Sequence, residues 1–243
     1  MTPPPTDTPT ATSPSYRLED GIAVITLDDG KANAITPALV DALHDALDRA
    51  DADDARALVL VGREGRFSAG FDLAAMTASA ESMRSLVGGG ARWMMRLYGL
   101  GRPTVAACTG HALAAGALTL LSCDHRVGAD GAFKIGLNEV GIGMALPVFA
   151  VELARDRLTP AAFGPATMQA RIYDPRGAVD AGYLDRVVDP EAVVAEAMAD
   201  AARLAQLSTG AYARTKTVAR RAVVERILTT LDDDLAGVGT PDR

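Results

Sequence analysis

TVAACTGHALAAGALTLLSC, residues 104–123, decides how this chain folds. Thr104–Cys108 is a short apolar run with no turn residue inside it, the pattern of a buried strand. Small residues follow, ending in Ala114-Ala115-Gly116, and then the wholly apolar segment Ala117–Cys123. A helix starting at that point directs unpaired backbone amides, and the positive end of its dipole, at whatever lies in front.

The same grammar recurs upstream. ALVLVG, residues 57–62, predicts a second strand buried on both faces, which makes the sheet partly parallel. It runs into GREGRFSAGFDL, where Gly70 lacks a side chain and Ala69 has only a methyl, so a ligand can approach the main chain. Before it, YRLED and IAVITLD flank Gly21 as a two-stranded hairpin, and the turn DGKANAI ends them. Thr36-Pro37 supplies an N-cap with proline at the first helical position, ahead of a stripe of Leu39, Val40, Leu43 and Leu47. Ser79–Gly101 reads as two helical pieces, because Gly88–Gly90 interrupts it. HRVGA and AFKIG are short strands, and VFAVELARD is a helix. From Pro160 onward the pattern is helical, with breaks at Pro165, Pro175, Gly182 and Pro190 and a late strand or loop in YLDRVVD. The class is α/β, with three segments: a tail over 1–14, a core over 15–190 and a C-terminal helical region over 191–243.

Bulk properties narrow the function. The 243 residues fit one large domain with a short appendage. The opening MTPPPTDTPTATSP has no aromatic or branched aliphatic residue and reads as a disordered tail. It has neither the basic and apolar regions of a signal peptide nor the arginines of a presequence, and no apolar run spans a bilayer, so the expected location is cytoplasmic, away from membranes. A net charge of -7, with no basic patch laced with aromatics, weighs against nucleic acid as a partner. Cys108 and Cys123 read as buried free thiols, and with His44, His111 and His125 scattered no metal site is expected.

Chemistry points to one carboxylate. Glu139 sits in IGLNEVGIG, among apolar residues and glycines after a short strand. An apolar setting raises a carboxylate's proton affinity, which suits a general base acting on a carbon acid. A surface glutamate or helix cap is the plain alternative, and each glycine motif alone is readable as close packing. Both motifs together, followed by Glu139, favour a site.

GRFSAGFDL and TGHALAAGALTLLSCDHRVGADGAFKIGLNEVGIG, in that order, resemble the signature of the crotonase superfamily, the enoyl-CoA hydratases and isomerases. The resemblance covers all but the tail. It implies the crotonase fold, a spiral of ββα units with C-terminal helices, assembled as a homotrimer or a dimer of trimers through the 191–243 region. It implies an acyl-coenzyme A thioester as substrate and no separate cofactor. The family's oxyanion hole falls on the backbone amides of Phe71 and Ala115, each donor being worth roughly two to three orders of magnitude in rate. Ala69, Gly70, Asp72 and Leu73 fall where the family binds coenzyme A.

Hydratases of this family use two glutamates, and the first of those positions is Leu118 here. Thr109 stands where the family often has Asn, and Ala114-Ala115 where it often has two glycines. Glu139 alone suffices for a Δ3,Δ2-enoyl-CoA isomerase, in which one glutamate carries a proton from C2 to C4, and RLYGLGRPTVAACTGHALAAGALTLLSCDHRV is similar to the mitochondrial-type isomerases. That is the leading expectation. Hydration assisted by Asp72, Asp124 or His111, and a non-catalytic acyl-CoA-binding protein, stay open beside it. Arg63, Arg66, Arg214, Lys216, Arg220 and Arg221 are candidates for the coenzyme A phosphates, although such a run also suits a solvated helix face. Met76, Met83, Met94 and Met95 suit either core filling or an adaptable acyl tunnel.

Overall fold

The computed structural model describes residues 14–237, so all but Pro14 of the expected tail, and the chain beyond residue 237, lie outside the described residues. β1 (Ser15–Glu19) and β2 (Ile22–Thr26) form the expected antiparallel hairpin. Its two-residue loop has positive φ at both Asp20 (50°) and Gly21 (74°), the geometry that matches the twist of the flanking strands. β3 (Ala34–Ile35) leads into α1 (Pro37–Ala52), whose Leu39 amide donates to Thr36 Oγ1 at 3.1 Å. Next come β4 (Ala57–Val61), β5 (Gly65–Ser68), β6 (Gly70–Phe71), α2 (Leu73–Ala78) and α3 (Ala80–Gly99). β7 (Thr104–Cys108), β8 (Gly110–Leu113) and α4 (Ala115–Ser122) repeat that order, and β9 (His125–Ala129) and β10 (Ile135–Gly136) begin it again. A 3₁₀ turn (Val140–Ile142), α5 (Val148–Arg157), α6 (Pro160–Met168), α7 (Pro175–Ala181), β11 (Arg186–Val188), α8 (Val193–Leu204) and α9 (Thr209–Gly237) complete the described chain.

Each turn of the spiral lays its first strand in a large sheet and its second in a small one. The large sheet has the order β1-β2-β4-β7-β9-β11, parallel throughout except for the hairpin, and the small one the order β10-β8-β5, also parallel. β4 shows why its sequence is apolar without alternation. Leu58 and Leu60 face the main core with α1, α3 and α4, while Ala57, Val59 and Val61 face a second core closed by Val193, Ala197 and Ala201 of α8.

Two expectations are corrected. Ser79–Gly101 is not broken at Gly88–Gly90, because α3 runs unbroken to Gly99. The glycines there are contact points: a Cβ on Gly89 would lie 3.4 Å from Val40, and one on Gly90 would lie 2.6 Å from Cζ of Phe71. Close packing on both sides outweighs the intrinsic helix cost of glycine, about 1 kcal/mol each. Pro165 likewise does not end α6, which continues to Met168. The proline forfeits one ladder bond, and burial of Ala162 and Ala166 holds the turn together.

Helix α9 is pinned to the sheet by a buried ion cluster. Asp124, between α4 and β9, accepts from the Thr104 amide (2.8 Å), Tyr212 Oη (2.6 Å), Lys216 Nζ (2.7 Å) and Arg220 (2.7 Å). Burial by itself would raise its proton affinity, but Lys216 and Arg220 hold the carboxyl below its ordinary 3.8. Cys108 and Cys123 are buried free thiols, and burial pushes both up to about 12.

Removing Asp124 strands two buried cations, so Asp124→Ala should cost about 3–5 kcal/mol in urea unfolding at neutral pH. A folded value below the unfolded one means that this contribution is present above 3.8 and is lost as pH falls through the lowered value. The stability curves of variant and wild type should therefore approach each other in acid.

Candidate active site

The small residues of the two turns bring them into contact. Ser68 Oγ donates to the Asn33 carbonyl (2.7 Å) and accepts from the Gly70 amide (3.2 Å), while Asn33 Nδ2 donates to the Leu27 carbonyl (2.8 Å). The DGKANAI turn is thereby tied to SAGF. Gly70 has φ +94°, and a Cβ there would lie 2.8 Å from Cβ of Ala114 and 3.2 Å from the amide nitrogen of Ala115. A Cβ on Gly116 would lie 2.9 Å from the Ser68 carbonyl carbon. No side chain fits at either glycine.

Among the described residues the Phe71 and Ala115 amides have no backbone partner. Residues 34–35 and 70–71 pair in parallel, and the Ile35 carbonyl accepts from Asp72 at 3.0 Å. In a parallel ladder each residue bonds on one side only, so the Phe71 N–H faces away from β3. Ala115 opens α4, ahead of the first intrahelical bond, from the Leu118 amide to the Ala114 carbonyl (3.0 Å). Ala114 itself has φ 51° and ψ -125°, a conformation that costs a residue with a side chain roughly 1–3 kcal/mol. Its amide donates to the Gly136 carbonyl (3.0 Å), which holds the turn in place against that strain.

Glu139 follows β10 and heads the 3₁₀ turn, its carbonyl accepting from Ile142 (3.0 Å) and Met144 (2.9 Å). Its Oε2 is sealed from solvent and has no hydrogen-bond partner among the described residues. Burial pushes the carboxyl up from 4.5 to about 7, only partly opposed by the backbone amides of Glu139 and Asn138. Two cavities adjoin it, sharing Phe71, Met76, Glu139 and Met144. The first extends between Met83, Val87, Leu118, Phe149 and Leu235; the second reaches Ala69, Leu73, Ala114, Asn138 and Ile142. Among the described residues Glu139 is the one titratable side chain lining either cavity.

The other candidates divide. Ala69 and Leu73 line the second cavity, and Gly70 is buried behind it against Ala114. The Asp72 carboxylate is taken up in capping α2, accepting from the Ala75 amide at 2.8 Å. His111 accepts from the Lys134 amide (3.0 Å) and packs edge-on to Phe133, and Asp124 belongs to the ion cluster, so neither lines a cavity beside Glu139. Lys216 and Arg220 are spent on Asp124, Arg63 pairs with Asp28 at 3.2 Å, and Arg221 lies 3.8 Å from Glu225. Arg66 and Arg214 stay exposed. Met76 and Met83 line the cavity, whereas Met94 and Met95 fill the core. Val87, Met144, Phe149 and Leu235 were not legible as site residues, because they come from α3, α5, α9 and a loop far apart in sequence. No group of three His, Cys, Asp or Glu placed to hold a metal ion occurs among the described residues, and no helix there is long and apolar enough to cross a membrane.

Residues 17–236 match the enoyl-CoA hydratase/isomerase family. The fold aligns with the crystal structure of an enoyl-CoA hydratase/isomerase family protein from Pseudomonas syringae at a TM-score of 0.91 and 41% identity, over 93% of this chain and 98% of that one. The human mitochondrial enoyl-CoA delta isomerase 1 is 28% identical over 88% of this chain and 72% of its own length. A putative enoyl-CoA hydratase from Thermus thermophilus is 34% identical over 78% of this chain and 77% of its own.

Two variants test this geometry. Gly90→Ala, which would stabilise an ordinary helix, should instead lower unfolding free energy by about 1–3 kcal/mol by overpacking Phe71, and adding Phe71→Leu should recover most of the loss. A stabilised single variant would refute the contact. For Glu139 the folded value lies above the unfolded one, so ionisation costs stability: the penalty is absent below 4.5 and complete above about 7. Glu139→Gln should accordingly be more stable than wild type above pH 7 by on the order of 1–3 kcal/mol and lose that advantage in acid.

Proposed function

We propose that this chain, which belongs to the enoyl-CoA hydratase/isomerase family of the crotonase superfamily, works within it as a Δ3,Δ2-enoyl-CoA isomerase. Relatives carry both names, hydratase and isomerase, so the choice rests on the site. One observation carries it: Leu118, where a second carboxylate would stand, lines the same apolar cavity as Glu139. A lone carboxylate can move a proton between two carbons. Adding water calls for a second group to activate the water or protonate the adduct.

In this reading the thioester carbonyl of a 3-enoyl-CoA accepts hydrogen bonds from the Phe71 and Ala115 amides. Glu139 removes a proton from C2, and the electron pair of that C–H bond moves into the conjugated system, leaving a dienolate with its negative charge on the thioester oxygen. The two amides and the α4 dipole stabilise that charge. Glu139 then returns the proton at C4, the C3–C4 double bond becomes C2–C3, and no proton is gained or lost overall. A carboxyl with a pKa near 7 holds the proton between the two steps better than one at 4.5. Ala69, Gly70 and Leu73, beside the second cavity, then border the coenzyme A moiety, with Asp72 contributing through its backbone. Assembly as a homotrimer or dimer of trimers belongs to the same reading, supported by the exposure of Val218 and Leu228 on α9.

Hydration is the second reading, favoured by the name of the Thermus thermophilus relative. Purified protein given a 3-enoyl-CoA should form the conjugated 2-enoyl-CoA, and given a 2-enoyl-CoA it should add little water. Rapid hydration would overturn the isomerase reading, and acyl-CoA binding with neither reaction would favour a binding protein. Glu139→Gln should lower isomerase turnover by roughly 10²-fold or more with acyl-CoA affinity largely kept. Because the base must be ionised, wild-type turnover should rise with pH and level off above about 7.

A further inference from the structure

The two cavities differ in their walls. The second cavity opens beside exposed Leu73 and Ile142, which are 64% and 52% exposed. The first is bounded by residues buried in the core: Met83, Val87, Phe149 and Leu235, none more than 4% exposed. Leu235 comes from the final described turn of α9, more than 90 residues after Glu139. A Cβ added to Gly88 of α3 would lie 3.3 Å from Leu235 Cδ1, so the α9 side chain sits directly on α3.

That last turn is fastened on both sides. Asp234 Oδ2 accepts from the Val148 amide at 2.7 Å. Val148 is the first residue of α5, and Pro147 before it has no side chain able to cap the helix, so Asp234 caps α5 from another element. Arg226 of α9 reaches Glu152 of α5 at 3.2 Å, and Asp232 meets Arg92 of α3 at 2.5 Å. The Arg92–Asp232 pair is largely exposed and adds little, whereas the cap is half-buried and directional. Pro147 and Phe149, on either side of the capped amide, line the same cavity as Leu235.

From this we infer that Leu235, held by the Asp234 cap on α5, is the stop that sets how long an acyl chain the enzyme accepts. The inference rests on the reading of the first cavity as the acyl site. The occupant is a hydrocarbon chain, since among the described residues Glu139 is the one polar side chain on that cavity's wall, and it is shared with the second cavity. The chain then enters past Glu139 and meets Leu235 with its far end. Truncating the stop lengthens the cavity without touching the base or the amides.

The test compares Leu235→Ala with Leu231→Ala. Leu231 is one turn earlier on α9 and equally buried, but it does not line the cavity, so it reproduces the packing loss without the added room. Affinities for saturated hexanoyl-, decanoyl- and hexadecanoyl-CoA are measured by calorimetry, alongside kcat/KM for the matching 3-enoyl-CoAs. A methylene in an apolar pocket is worth roughly tenfold or more, so Leu235→Ala should raise the long-to-short ratio by at least about tenfold. Leu231→Ala should leave that ratio near the wild-type value, and Asp234→Ala should blunt discrimination between chain lengths. An unchanged ratio in Leu235→Ala, or an equal shift in Leu231→Ala, overturns the inference. Because the binding arm needs no turnover, a protein without isomerase activity refutes the reaction while its affinity ratios still decide the stop. Failure to bind any of the acyl-CoAs overturns both.

Discussion

The structure depends on the approach of two turns that have no room for a side chain between them. Gly70 presses on Ala114 and Ala115, and Gly116 presses on Ser68. Because β4–β5 and β7–β8 belong to successive turns of one spiral, the SAGF turn and the start of α4 arrive side by side. The contact is main chain against main chain, so the groups left facing outward are amides. Ala114 adopts a conformation suited to glycine, and its bonds to Gly136 and Leu118 fix it there. Backbone strain of this kind persists where surrounding hydrogen bonds over-determine the geometry.

The third turn of the spiral places the carboxylate. β10 pairs with β8, and the Gly136 carbonyl that anchors Ala114 lies three residues before Glu139, so one strand sets both the amide turn and the carboxylate. Among the described residues Glu139 has no cation beside it to offset its burial, unlike Asp124, which is equally deep in protein but surrounded by Lys216, Arg220 and Tyr212. The same residue chemistry is pushed in opposite directions by its neighbours: Asp124 is held ionised as a structural pin, and Glu139 is left able to gain and lose a proton near neutrality.

The helices around the site are shaped to it at cost to themselves. α3 carries three consecutive glycines, and Gly90 makes room for the Phe71 ring, whose backbone amide is one of the two proposed donors. α9 closes the apolar cavity from the far end of the chain, and its long path is held by the Asp124 cluster at one end and the Asp234 cap at the other. α8, within the expected 191–243 region, covers the outer face of its own sheet.

The sequence by itself determined the local grammar: the hairpin at Asp20-Gly21, the Thr36 cap, the buried runs of β4 and β7, and the order of motifs that marks the family. These follow from short-range rules of turn chemistry, capping and periodicity, which neighbouring residues suffice to express. It also singled out Glu139 and the absence of a carboxylate at Leu118, because each lies inside a readable motif. It misread Gly88–Gly90 and Pro165 as breaks, since propensity is a local quantity and the contacts that outweigh it, with Phe71 and Val40 or with a buried face, are not. Only the tertiary structure decided which charges are spent and which walls enclose Glu139. Lys216 and Arg220 face Asp124 across more than 90 residues, and the apolar cavity draws Val87, Phe149 and Leu235 from three helices. A cavity is a property of the space between elements, and no single stretch of sequence encodes it.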